Sequence, residues 1–318
     1  MIRAAPALAL LLALAQPALA ESREEAAAAA LAALQQSDAR LLAIGWRLAA
    51  GNAAYCSDAR PAVGLLLQDM AGYAEPEEMR KAAGIAGPIA VQAVAPGSPA
   101  EAAGLRPNDE IAAIDGMAVA ALPAADEEDW RRLARLHDAI ESSLAADGRV
   151  LVTLLGRGDV TLEGVPACPS RFEIIGGDGA AAEGTRVVIG RKFVGLSYPE
   201  DEFAAAIAHE FAHNLLRHRA WLDVHGRRWR NVRVTEREAD RMMPWLLANA
   251  GYDPGAALRF MRRWGPRHGG GLFRKRTHEG WDERAEMIEM EIARVQEVRN
   301  PNGSADWARH FRREIAEE

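Results

Sequence analysis

Residues 206–218 read AIAHEFAHNLLRH and place three histidines and one glutamate among mostly apolar residues. Apolar side chains recur every four positions at Phe203, Ile207, Phe211 and Leu215, and this spacing predicts an amphipathic helix that buries them. His209 lies about 200° around that helix from Ile207, so the histidines face away from the buried side chains. His209 and His213 are one helical turn apart, and both imidazoles can reach the same point.

This helix is predicted to begin at SYPE, residues 197–200, because the serine can cap it and a proline suits its first turn. It is predicted to run to about Arg219. The third histidine, His218, lies five residues after His213 and is rotated about 140° from it. We therefore expect His218 to lie at a solvated helix end and not to bind the same cation as the other two histidines.

Two histidines one turn apart on a polar helix face are typical ligands of one metal cation, and Glu210 beside them can reach a water on it. Partly buried structural histidines are the alternative. A third ligand can come from residues 234–243, which predict the start of another helix. Glu236 and Asp240 are four residues apart and share a face, whereas Glu238 points about 200° away from Glu236.

One carboxylate of this pair can bind the metal while the other accepts a hydrogen bond from a ligand histidine. An exposed, salt-bridged acidic face is the alternative. Together the two motifs resemble the gluzincin metallopeptidases related to HtpX and the CAAX prenyl proteases. The resemblance implies one Zn²⁺ per chain, with Glu210 as the base that activates the attacking water and Asp240 as the partner of a ligand histidine. The implied zinc ligands are His209, His213 and Glu236.

The resemblance extends over about residues 187–292 and includes His278 and Arg284 as possible contacts of the active site. Family members often have proline directly after this histidine, and here Glu279 stands in its place. Helix capping and salt bridges are the alternative roles for His278 and Arg284.

Residues 95–111, APGSPAEAAGLRPNDEI, followed by IDG at 114–116, resemble a PDZ domain of the bacterial protease type. This family usually has glycine where Asn108 stands, and asparagine tolerates the left-handed turn expected there. Residues 71–87 form an insertion near the expected peptide groove. The resemblance implies a groove that binds a C-terminal or extended peptide by strand addition, although a module kept for interdomain packing is the alternative. The loop expected to receive the peptide carboxylate consists of Gly64, Leu65, Leu66 and Leu67.

Residues 1–20, MIRAAPALALLLALAQPALA, are typical of a cleavable secretory signal. A membrane anchor is the alternative, but the apolar core of residues 7–15 is shorter than the roughly 20 residues that a span requires. We expect a soluble protein exported to the bacterial periplasm. Removal of Arg3 with the signal would change the net charge from −7 to −8, which argues against nucleic acid as a partner.

Cys56 and Cys168 are the two cysteines of the chain, so a zinc site made of thiolates is excluded. A disulfide between them suits an exported protein, and two free thiols are the alternative. Because the cysteines flank the PDZ-like region, a disulfide would join its two ends.

The sequence thus predicts an α+β protein with a mostly helical, zincin-like metallopeptidase domain, a small sheet and a PDZ domain. The region after Arg171 is predicted to be helical except for a strand at residues 185–190, whose residues 187–189 we expect to form the edge that binds substrate. The predicted segments are a signal peptide at 1–20, a helical segment at 21–56, PDZ at 57–165 and the metallopeptidase at 166–318.

The expected function is zinc-dependent endoproteolysis of exported, unfolded or misassembled proteins. A non-proteolytic, chaperone-like PDZ binding protein is the alternative. The seven arginines of residues 217–237 could contact anionic lipid, although such a run is more often a solvated surface. The sequence does not indicate an oligomeric state.

Overall fold

The computed structural model describes residues 7–123, 130–268 and 279–315, with the side chains of the first helix described from Arg23 onward. Within these ranges helices alternate with small sheets, which confirms the predicted α+β class. The helices are α1 (Ala7–Gly51), α2 (Pro76–Ala83), α3 (Pro99–Ala102), α4 (Arg131–Asp147), α5 (Glu200–Leu215), α6 (His218–His225), α7 (Trp229–Asn249), α8 (Ala256–His268), α9 (Trp281–Val298) and α10 (Trp307–His310). The strands are β1 (Arg60–Ala62), β2 (Leu65–Asp69), β3 (Ile89–Val94), β4 (Ile111–Ile114), β5 (Met117–Ala118), β6 (Arg149–Leu154), β7 (Gly158–Glu163), β8 (Val165–Ala167), β9 (Arg171–Ile175), β10 (Ala180–Ala182) and β11 (Arg186–Gly190).

The chain divides into two compact units. The first contains residues 1–39 and 65–163, and the second contains residues 40–64 and 164–318. Among the described residues, no helix combines the length and the apolarity that crossing a membrane requires.

The first unit contains a two-stranded antiparallel sheet, β2–β3, and a four-stranded antiparallel sheet in the order β5-β4-β6-β7. Asn108 has a φ of 69°, so the left-handed turn predicted there is present. Its side-chain oxygen accepts hydrogen bonds from Gln35 at 2.7 Å and from Gln68 at 3.0 Å. The asparagine therefore supplies contacts that glycine could not.

The insertion at residues 71–87 forms a 3-10 turn and then α2. Its Ala83 packs with Met70 and with Leu31 of α1 in one buried cluster. The same stretch of α1 carries Asp38, which accepts a hydrogen bond from Gln92 at 2.7 Å. Residues 31–38 of the first helix are thus part of the core of this unit.

The second unit contains a three-stranded sheet in the order β10-β11-β9. The prediction that residues 171–184 are helical was wrong, because β9 and β10 both lie there. The prediction of an edge strand at residues 187–189 was also wrong. Strand β11 lies in the centre, antiparallel to β10 and parallel to β9, and β10 forms an edge.

Helix α1 packs closely on this sheet because Gly45 has no side chain. A Cβ added there would lie 2.3 Å from the ring of Phe172 on β9. That ring packs edge-on against Phe211 of α5, with the centroids 5.6 Å apart. These contacts bury the apolar face of α5 and turn its histidines to the other side.

A disulfide joins Cys56 and Cys168, as predicted. Strands β1 and β8, which follow the first cysteine and precede the second, pair in antiparallel fashion. The cysteines are 112 residues apart in sequence, and a loop of that length constrains the unfolded chain by about 4–5 kcal/mol in the chain-entropy model.

The histidine-rich helix is shorter than predicted. Helix α5 ends at Leu215, and Arg217 adopts a left-handed φ of 55° before α6 begins at His218. Pro199 occupies the position before the first turn, while the hydroxyl of Ser197 bonds to the carbonyl of Val194. The helix therefore begins close to the predicted place without the predicted serine cap.

Candidate metal centre

Helices α5 and α7 bring together three side chains that could bind a metal ion. His209 Nε2 lies 3.3 Å from His213 Nε2, and both nitrogens belong to α5. Glu236 of α7 places one carboxylate oxygen 3.4 Å from His209 Nε2 and the other 3.6 Å from His213 Nε2. A ligand atom from each of the three residues therefore faces a common point.

These separations fit the coordination geometry of zinc. Ligand atoms about 2.0–2.2 Å from a tetrahedral zinc ion lie about 3.3–3.6 Å from one another. Two nitrogens and one carboxylate oxygen are also ligands that zinc commonly binds. The three residues therefore offer donor types and a spacing that suit a zinc ion.

Asp240 lies behind His209. One carboxylate oxygen is 3.1 Å from His209 Nδ1, and Arg284 of α9 contacts the two oxygens at 2.6 and 2.7 Å. Burial alone would raise the pKa of Asp240, but the Arg284 guanidinium and His209 hold it below its usual range. An anionic Asp240 keeps the Nδ1 proton of His209 on the side away from the cluster.

His218 lies behind His213, and the prediction that it is a solvated helix end was wrong. Its side chain is 1% exposed, and its Nδ1 lies 2.9 Å from His213 Nδ1. Its Nε2 lies 3.0 Å from Glu238, which is buried on the face of α7 opposite Glu236. Sequence geometry excluded His218 as a metal ligand, but it did not identify His218 or Glu238 as neighbours of the ligands.

The cluster opens into a cavity of about 1120 Å³ within the second unit. Glu210 lines this cavity beside the three candidate ligands, as do Arg284 and the edge strand β10. Aromatic side chains of Phe193, Phe260 and Trp264 line it as well. The cavity thus places a carboxylate, a metal-binding cluster and a strand edge around one space.

Burial changes the protonation of these groups in different directions. It raises the pKa of Glu210 to about 7 and lowers that of His213 to about 3. For His209, burial opposes the charged form, but the carboxylates of Asp240 and Glu236 outweigh it and raise the pKa to about 10. Without a metal ion, His209 therefore carries a proton on both ring nitrogens and is a cation.

Arg284 contacts Asp240 directly, whereas His278, the other possible contact named from the sequence, lies outside the described residues. Glu279 stands where the metallopeptidases that the sequence resembles often have proline. Its carboxylate accepts a hydrogen bond from Arg237 at 2.8 Å. Glu279 thus joins the middle of α7 to the segment before α9.

Several arginines of residues 217–237 bind carboxylates of the same chain. Arg217 lies 3.4 Å from Asp58, and Arg227 lies 2.7 Å from Asp223. Contact of this run with lipid stays a prediction.

In the first unit, the edge of β2 that is not paired with β3 is bridged to α4. Arg132 binds Asp69 through two contacts, of 2.6 and 2.5 Å, and both side chains are 4% exposed. The backbone N–H of Leu67 points at His137 Nε2 at a distance of 3.5 Å. Side chains of α4 therefore occupy positions along the edge where an added peptide strand would bind.

The predicted carboxylate loop leads into this edge. Gly64 has a φ of 66°, a conformation that favours glycine. Leu66 and Leu67 are buried, and Leu65 is partly exposed. Binding of a peptide carboxylate by residues 64–67 stays a prediction.

A family model described as PDZ domain matches residues 91–139, which extend from β3 into α4. The first unit therefore contains a PDZ domain, as its resemblance implied, and PDZ domains bind extended peptides by strand addition. No curated protein and no solved structure matches the chain.

Proposed function

We propose that the second unit is a zinc-dependent endopeptidase that binds one Zn²⁺ through His209, His213 and Glu236. The carrying observation is the spacing of the donor atoms. The Nε2 atoms of His209 and His213 lie 3.3 Å apart, and the two carboxylate oxygens of Glu236 lie 3.4 Å from the first and 3.6 Å from the second, which is close to the spacing of ligands around a zinc ion. Glu210, the fourth residue of the pattern, lines the same cavity.

A zinc ion held there would polarise the scissile carbonyl and make the attacking water more acidic. The Glu210 carboxylate accepts the proton of that water and returns it to the nitrogen of the leaving amine. Its pKa of about 7, raised by burial, suits both transfers near neutral pH. Asp240 and Arg284 hold His209 in place during these steps.

The edge strand β10 is an argument for a polypeptide as the substrate. Its alanines at 180–182 line the cavity, and an extended peptide can add to an edge strand through backbone hydrogen bonds. Because only unfolded segments can extend in this way, unfolded or misassembled proteins are the proposed substrates. The disulfide fits an oxidising compartment, and the periplasm is the proposed location.

The test compares Glu210→Gln with Glu200→Gln, an exposed glutamate in the first turn of the same helix. We expect zinc-loaded wild type and Glu200→Gln to cleave casein in a chelator-sensitive manner. Loss of a general base typically costs about 10²–10⁴-fold, so Glu210→Gln should retain zinc and lose cleavage by at least about hundredfold. Full activity of zinc-loaded Glu210→Gln would refute the role of this residue.

The PDZ domain favours a second candidate, a non-proteolytic binding protein of envelope quality control. That function predicts association with unfolded proteins and no cleavage by the zinc-loaded wild type. Incubation of the wild type with casein, followed by mass spectrometry of the products, distinguishes the two.

A further inference from the structure

The hydrogen bonds behind His213 lead to the end of the described chain. From His213 they pass through His218 to Glu238 at 2.9 and 3.0 Å. Glu238 also accepts from a C-terminal segment, which we define as residues 313–315. The donors are the arginine Nε at 2.9 Å and two backbone N–H groups of that segment.

The positions of the protons follow from these contacts. A guanidinium and backbone N–H groups can only donate, and together they favour Glu238 as an anion that accepts every bond. His218 Nε2 therefore donates to Glu238. Between the Nδ1 atoms of His218 and His213, one nitrogen must donate and the other must accept. Either both rings are neutral and His213 donates, or His218 is a cation and His213 carries its proton on Nε2.

The neutral arrangement is the one that the surroundings favour. A cationic His218 would place a charge on a side chain that is 1% exposed, and Arg313 already neutralises the charge of Glu238. In the neutral arrangement, His213 keeps its proton on Nδ1. The lone pair on Nε2 then faces His209 and Glu236, as metal binding requires.

The break between α5 and α6 makes this contact possible. In a continuous helix, His218 would point about 140° away from His213. The left-handed conformation of Arg217 redirects the chain, so that His218 begins a new helix and its ring turns back. Arg313 also donates to the carbonyl of Leu216 at 3.1 Å, which fastens the C-terminal segment to the break.

We propose that His218, Glu238 and the C-terminal segment position His213, holding its proton on Nδ1 and its Nε2 lone pair toward the metal centre. The inference rests on the proposed function, since it takes His213 as a metal ligand. It adds that the last described residues of the chain support the centre, although they lie about a hundred positions after it.

The proton position can be measured without a variant and without metal. In the full-length, metal-free protein labelled with ¹⁵N at histidine, we expect the His213 signals of a neutral ring protonated at Nδ1. A neutral His213 protonated at Nε2 would overturn the proposal. This measurement decides the matter even where substitutions at the buried His218 prevent folding.

Metal affinity provides the second test, with Co²⁺ as a probe visible by absorption. Loss of a group that orients a ligand typically weakens metal binding about ten- to hundredfold, and we expect this loss in His218→Phe. The loss should be smaller in His218→Asn, whose amide oxygen can still accept from His213. Arg313→Ala should also weaken binding, whereas Arg312→Ala, at the exposed neighbouring position, should not.

Unchanged Co²⁺ affinity and an unchanged visible spectrum in folded His218→Phe would overturn the proposal and leave the proposed function intact. A wild type that binds Co²⁺ with these variant effects but does not cleave casein would refute the proposed function alone. A wild type that binds neither Co²⁺ nor Zn²⁺ would refute both.

Discussion

The candidate metal centre of the second unit and the β2 edge of the PDZ domain use the same types of side chain in opposite ways. In the centre, Asp240 and His218 contact the far nitrogens of His209 and His213, and the near nitrogens face a cavity. At the β2 edge, by contrast, Arg132 and His137 of α4 contact the strand itself. One site is arranged around a space, whereas the other is closed by its own polar groups.

The difference shows that residue type alone does not identify a binding site. Histidine, arginine and carboxylate occur at both places, and each place adjoins a strand edge. The two places differ in where the hydrogen-bond partners lie. In the candidate metal centre they contact the ring nitrogens that face away from the cavity, whereas at the β2 edge they contact the strand on the side where a peptide would bind. The candidate metal centre faces a cavity, whereas a peptide added at the β2 edge would meet the Arg132–Asp69 pair.

The largest expected effect comes from removing the support behind His209. Asp240→Asn leaves the buried Arg284 without its carboxylate, and breaking a buried ion pair on one side costs about 3–5 kcal/mol. We expect urea unfolding of the metal-free protein to show this loss in the free energy of unfolding. Zinc affinity should also fall, by about ten- to hundredfold.

Asp223→Asn is the matched control. It breaks an ion pair with Arg227 whose side chains are more than half exposed, and such pairs contribute about 0–1 kcal/mol. Equal losses of stability in Asp240→Asn and Asp223→Asn would contradict the description of the centre as held from behind.

The next effect is the pH dependence of metal binding. His209 has a pKa raised to about 10, because its carboxylate partners outweigh burial, so a metal ion must displace a proton at pH 6–8. His213, with a pKa lowered to about 3 by burial, has no such proton to lose. Zinc affinity should therefore rise about tenfold per pH unit, and about hundredfold from pH 6 to pH 8.

Calorimetric titration in buffers with different ionisation enthalpies should show one proton released per zinc bound. Asp240→Asn should reduce this release, because it removes a carboxylate that raises the pKa of His209. Zinc affinity independent of pH in the wild type would show that His209 is neutral in the metal-free protein.

The smallest expected effect concerns the closed edge of the PDZ domain. Asp69→Leu combined with Arg132→Met replaces the buried pair with apolar side chains and also removes the hydrogen bond that Asp69 accepts from the backbone N–H of Ala71. We expect this double variant to bind a labelled peptide with a free, apolar C-terminal residue about tenfold more tightly than the wild type, because the peptide no longer has to separate Arg132 from Asp69. A tenfold change in affinity corresponds to about 1.4 kcal/mol of binding free energy.

Arg132→Met alone is the control, because it leaves Asp69 charged and buried and should destabilise the domain. Fluorescence anisotropy measures peptide binding in all three proteins. Equal peptide affinity in the wild type and the double variant would show that the ion pair does not close the groove.

Helix α5 could be predicted from sequence because its apolar residues recur regularly every four positions. Phe203, Ile207 and Phe211 are all fully buried. Its end could not, because Arg217 takes a left-handed conformation without a glycine or proline to signal it. The burial of His218 follows from that turn, so it was missed for the same reason. Strand β10 was missed because alanines at 180–182 carry little strand propensity.

The PDZ region was predictable in more detail. Its strand at Ile89–Val94 and the turn at Asn108 depend on local signals of glycine, proline and alternating apolar residues. Closure of the groove was not predictable, because the Arg132–Asp69 contact joins residues 63 positions apart. Pairing of distant polar side chains leaves no periodic signal in a single sequence.

The Cys56–Cys168 disulfide has a consequence for survival among proteases. Any single cut between the two cysteines, anywhere in the PDZ domain, leaves the two fragments covalently joined. The β1–β8 ladder next to the disulfide would also keep the two fragments paired at that place. A nicked molecule would therefore migrate as an intact chain on a non-reducing gel and separate into two bands only after reduction.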